Sequence, residues 1–119
     1  MMDFYRHQLL QNASLECKIR ISVILMDPRV AHFKIGKTVD EVQERYDHDE
    51  DYRNNYNEIK LIYEIEDKAL VDELEKVLIK DYMMMYPTRC DNKQEGAGPD
   101  CADSDKPTAK IYVVVKYKD

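Results

Sequence analysis

Four sets of residues in this chain have types and spacings that could do chemistry. Gly36-Lys37-Thr38 has the text of a phosphate-binding loop, but that motif needs a glycine five positions earlier, and Ala31 stands there. Asp47, Asp49, Asp51 and Glu58 match positions 1, 3, 5 and 12 of a calcium loop, yet Tyr52 sits where the sharp turn demands glycine. Cys17, Cys90 and Cys101, with His32 and His48, show none of the short ligand spacings that zinc uses. The fourth set joins Lys34-Ile35-Gly36 to Arg45, then to Glu75 and Asn92.

These residues must be positioned by elements that the hydrophobic pattern predicts. Residues 2–16 read as a helix, and 18–26 (KIRISVILM) as a strand, with Ile19, Ile21 and Val23 on one face. Asp27-Pro28-Arg29 is a turn. Residues 30–36 form a second strand, expected to pair with the first as a hairpin. Thr38 then opens a helix as its N-cap, with Glu41 completing a capping box. Residues 47–57 are a polar loop or a frayed helix end, and 58–65 a third strand. The strongest signal spans 67–86, where Leu70, Val71, Leu74, Val77, Leu78, Tyr82 and Met85 share one helical face. On that helix Glu75 lies at the flank of the apolar stripe. A long loop over 88–106 leads to a closing strand over 108–118. At a sheet edge, its IYVVV segment would pair two chains as a homodimer. The expected fold is a single α+β domain over 1–119, with a small, mixed, mostly antiparallel sheet flanked by helices.

Composition narrows the function classes. The chain has 119 residues, with 18 basic against 24 acidic side chains and a net charge of -6. That balance argues against a broad basic surface for long nucleic acid and leaves room for a local basic cleft. No apolar run approaches the length of a membrane span. The N-terminus lacks the pattern of a secretion signal. Three cysteines without a CxxC spacing fit a reduced, intracellular (cytoplasmic or nuclear) protein.

The fourth set resembles the GIY-YIG nuclease superfamily. Lys34 to Thr38 (KIGKT), followed nine residues after its glycine by Arg45, is similar to the second motif, of which a YKIG variant is common; here the text is Phe33-Lys34-Ile35-Gly36. Leu74-Glu75-Lys76-Val77-Leu78-Ile79 resembles the family's glutamate helix. Asp91-Asn92-Lys93, leading into Gly96-Ala97-Gly98, resembles its asparagine and glycine-rich ending. The likeness spans roughly residues 18–98.

That resemblance implies a DNA endonuclease that hydrolyses phosphodiesters with one divalent ion, Mg2+ or Mn2+, on Glu75. A lone carboxylate suits magnesium, which keeps most of its waters. It implies Arg45 at the scissile phosphate, Lys34 in the catalytic set, and Lys37 and Asn92 on the substrate or the cleft wall. Two departures stand out. Aligning Arg20-Ile21-Ser22 with the first motif puts Ser22 where a tyrosine belongs, and Lys34 takes the second motif's tyrosine position. Tyr46 and His48 lie where many relatives carry another tyrosine or histidine. The function classes are therefore a nuclease with an altered base, a catalytically degenerate module binding nucleic acid or protein, and an interaction protein unrelated to nucleases.

Overall fold

Ala13, Cys17, Ile21 and Leu25 recur every four residues, and this stripe decides the first part of the chain. The computed structural model describes residues 2–94 and 98–119. Its first helix, α1, runs Met2–Leu25, so the strand expected over 18–26 is the second half of a helix. Ile21 is fully buried, while Ile19 and Val23 are 60% and 64% exposed. A strand would have put all three on one face. Their β-branched character favours a strand only where a pleated surface receives them, and the four-residue stripe outweighs it. No glycine or proline interrupts the helix before Pro28.

Strand β1, Val30–Thr38, therefore has no hairpin partner before it. It pairs antiparallel with β3, Ala109–Tyr117, from the far end of the chain. Strand β2, Glu58–Ile65, pairs with the other side of β3, giving the order β1-β3-β2. The closing strand is thus central, not at an edge, and both its sides are used within this chain. That corrects the basis of the homodimer expectation. Burial explains the central position: Ala109 to Val115 are all buried, as expected for a strand covered on both faces. The outer edge of β1 is covered too. Phe33 donates its N–H to the Arg89 carbonyl (3.0 Å) and accepts from Asp91 N–H (2.8 Å).

Thr38 ends β1, paired with Lys110, and its hydroxyl accepts from the Asp40 N–H instead of capping a helix. Helix α2 starts later, at Val42–Asp47, with Glu41 as a cap residue that makes no side-chain cap bond. The capping box is not formed. The expected polar loop holds a further short helix, α3, Glu50–Asn55, capped by Asp49 and anchored by buried Tyr52.

Helix α4, Lys68–Met85, is where the periodicity put it, capped by Asp67, whose side chain accepts from the Leu70 N–H. Its buried face is rotated from the predicted one. Met85 is exposed, whereas Asp72, Glu75 and Ile79 are buried. The loop after α4 contains a 3₁₀ turn, Cys101–Asp103. The result is an α+β domain: a three-stranded antiparallel sheet flanked by helices. The three cysteines are buried and free. Among the described residues, no helix is long and apolar enough to cross a membrane.

Candidate functional site

Gly36 lies opposite Tyr112 across the β1–β3 pair. A Cβ on Gly36 would stand 2.3 Å from the Tyr112 Cζ, so only glycine lets that ring lie flat against the strand. The Tyr112 hydroxyl shares a 2.7 Å hydrogen bond with the Tyr52 hydroxyl, and the rings meet edge to face. The Arg45 guanidinium lies 4.7 Å from the Tyr52 ring centroid and 6.0 Å from that of Tyr112. A 2.8 Å ion pair with Asp49, one helical turn on, holds it there. The Lys34 ammonium stands 5.9 Å from the Tyr52 ring centroid.

These groups line one cleft of about 940 Å³, with Lys34, Lys37, Arg45, Tyr52, Asn92 and Tyr112 in its wall. The chemistry available is cationic and hydrogen-bonding. Arg45 offers a planar fork of donors suited to a phosphate, and the lysines offer point charges. Burial raises the pKa of Tyr112, and of Tyr52 despite the bond between them, so both phenols keep their protons at neutral pH.

Of the sequence-predicted residues, Lys34, Lys37, Arg45 and Asn92 meet in this cleft. Asn92 acts as a brace in the wall. Its Oδ1 accepts from the Ile35 N–H and its Nδ2 donates to the Ile35 carbonyl, both at 2.8 Å, so both ends of the amide are engaged. Tyr46 and His48 do not line it. The Tyr46 hydroxyl donates to the Tyr56 carbonyl (2.7 Å), and His48 is the exposed C-cap of α2.

Glu75 lies beneath the cleft wall, 4% exposed, and its Oε1 is a buried oxygen with no hydrogen-bond partner. Burial pushes its pKa up to about 7, against the pull of the nearby Lys37 charge. The Lys37 ammonium bonds Asp72 Oδ1 at 2.8 Å and stands 3.9 Å from Glu75 Oε1. Burial opposes the Lys37 charge, but the bond to Asp72 and the charges of Glu75 and Asp72 outweigh it and raise the pKa. Asp72 also accepts from the N–H groups of Cys101 (2.8 Å) and Ala102 (3.0 Å), and these bonds with Lys37 lower its pKa despite burial.

Two buried carboxylates therefore face one ammonium. The leftover negative charge, with an unpartnered oxygen on Glu75, fits one additional cation or a proton. Asp72 and Asp100 lie 2.8 Å and 3.7 Å from the same ammonium, and of these carboxylates Glu75, with its unpartnered Oε1, is the one that would hold an ion.

Sequence reasoning missed Tyr112, Tyr52 and Asp72. For Asp72 a signal existed, an acid inside the apolar stripe, three residues before Glu75. In comparisons with protein-family models, curated proteins and solved structures, nothing matches this chain.

Proposed function

We propose that the cleft is a phosphodiester-hydrolysing site of the GIY-YIG type, a DNA endonuclease whose first-motif tyrosine comes from the last strand. The observation that carries this reading is Tyr112 lying against Gly36, with Arg45 beside it. The serine at the expected tyrosine position belongs to α1 and drops out of the comparison. Lys110-Ile111-Tyr112 on β3 takes over the part assigned to Arg20-Ile21-Ser22. The motif order in the chain is then rotated: the strand that leads in the family closes the sequence here.

In this reading Arg45 binds the phosphate and stabilises charge that develops on its oxygens. Tyr112 and Tyr52 hold their protons; one O–H is spent on the 2.7 Å bond between them, so the pair keeps one O–H to donate to substrate or water and acts as a donor, not as a base. Lys34 adds positive charge to the wall, while the Lys37 ammonium is paired with Asp72. Asn92 fixes the strand that carries both lysines. Glu75 would hold one Mg2+ or Mn2+, and such an ion, when bound, would polarise the phosphate and make its bound water more acidic. The free cysteines support an intracellular setting.

The test is cleavage of single-stranded, nicked and branched DNA with magnesium or manganese, comparing wild type with Glu75→Ala and Tyr112→Phe. Metal-dependent cleavage lost in Glu75→Ala is the expected result. Cleavage that survives it removes Glu75 from the reaction. A second reading, a catalytically degenerate module that binds nucleic acid or a protein, is favoured by one observation: Glu75 is not among the residues that line the cleft. Salt-dependent DNA binding without cleavage would select it.

A further inference from the structure

Lys37 is the feature of this site that neither the fold nor the phosphate chemistry requires to be buried. Its side chain is 5% exposed, wedged between α4 and the 3₁₀ turn, and its ammonium meets three carboxylates: Asp72 at 2.8 Å, Asp100 at 3.7 Å and Glu75 at 3.9 Å. Asp72 is fully served by that ammonium and by two backbone N–H groups. Glu75 is not: Lys37 is near enough to offset its charge and too far to bond its Oε1. A divalent ion on Glu75 would stand within a few ångströms of the ammonium, and like charges that close in a buried setting repel strongly. Lys37 also borders the cleft.

We propose that Lys37 is a resident counter-cation that competes with a divalent ion for Glu75, so that metal enters only as the ammonium is displaced. The inference rests on the reading of Glu75 as the ion-facing carboxylate. It makes Lys37 a positioning residue that sets metal affinity, whatever it also does for substrate. Asp72 fixes the competitor: three residues before Glu75 on the same face of α4, it holds the ammonium just out of bonding range.

The experiment is Mn2+ binding followed by the loss of the free-ion electron paramagnetic resonance signal, without DNA, on the whole chain. Wild type is expected to bind weakly. Lys37→Met, which leaves Asp72 its two N–H donors, is expected to bind at least about tenfold more tightly, since a close repulsion is removed. Lys37→Arg keeps the charge and is expected to stay weak, and Glu75→Gln added to Lys37→Met is expected to abolish the gain. A thermal melt verifies that each variant is folded, and Lys37→Gln serves as a second neutral variant if the methionine protein is not. Neutral variants that bind Mn2+ no better than wild type, or not at all, overturn the proposal. A gain in Mn2+ affinity in a protein that neither binds nor cleaves DNA would retire the nuclease reading and leave the competition standing. Metal-dependent cleavage with unchanged Mn2+ affinity would do the reverse.

Discussion

Replacing Glu75 with glutamine should change how stability depends on pH, and the size of the effect follows from its burial. Burial lifts the Glu75 pKa from 4.5 to about 7. The folded state therefore keeps a proton that the unfolded chain releases, and stability falls as pH rises through this window. It is flat below the unfolded value and flat again above the folded one. At about 1.4 kcal/mol per pH unit the whole window is worth about 3 kcal/mol, of which about 2.5 kcal/mol falls between about pH 5 and about pH 8. Urea denaturation with EDTA present, at both pH values, measures it in wild type and in Glu75→Gln. All other titrating groups are common to the two proteins, so the difference between their pH dependences isolates Glu75. Wild type should lose about 2.5 kcal/mol more than the variant on going to the higher pH. Equal losses would refute the reasoning: Glu75 would then be no harder to ionise folded than unfolded, and the site would have no leftover charge for a cation to satisfy.

Three further outcomes follow from the packing. Gly36→Ala should cost about 1–3 kcal/mol in chemical denaturation, because the new Cβ meets the Tyr112 ring, and much less in a Tyr112→Ala background; equal costs in both backgrounds would count against the close approach. Asn92→Ala should cost about 2 kcal/mol or more by leaving the Ile35 N–H and carbonyl unpaired, with faster hydrogen exchange at the Ile35 amide as its local sign. Ile21→Ala should cost about 2–5 kcal/mol and Ile19→Ala less than about 0.5 kcal/mol, since only Ile21 faces the core. Similar costs at the two positions would favour the strand over the helix.

Local signals in the sequence were strong for α4, β2 and the closing strand, where periodicity, caps and β-branched runs agree. They failed at residues 18–26, where two periodicities coexist. Ile19, Ile21 and Val23 alternate, while Ala13, Cys17, Ile21 and Leu25 recur by four, and nothing local says which face a core will receive. The core decides, and it takes one stripe of α1 because β1 is already paired with β3 on one side and with residues 89–91 on the other. They failed again at the capping box, because β1 runs on through Thr38. A cap forms only where the strand lets go.

The site was legible wherever its parts are close in sequence or fixed by helix phase. Lys34 through Lys37 share one strand, Arg45 follows on the next helix, and Glu75 was read at the flank of its stripe. Tyr112 was not legible by that route, because antiparallel pairing carries no information about chain order: a partner strand from the far terminus gives the same ladder as a neighbouring hairpin arm. A subtler signal was present. A glycine in the middle of a β-branched strand costs stability unless something large must approach the backbone there. The closing strand holds one aromatic inside its apolar run, Tyr112 between Ile111 and Val113. A bare position on one strand and an oversized ring on another are complementary, but the sequence pattern ends the strand at Gly36, and only the extension of β1 to Thr38 puts that glycine inside the sheet. Once β3 is beside β1 the phenol has to sit by Arg45, because the strand that carries Gly36 leads into the helix that carries the arginine.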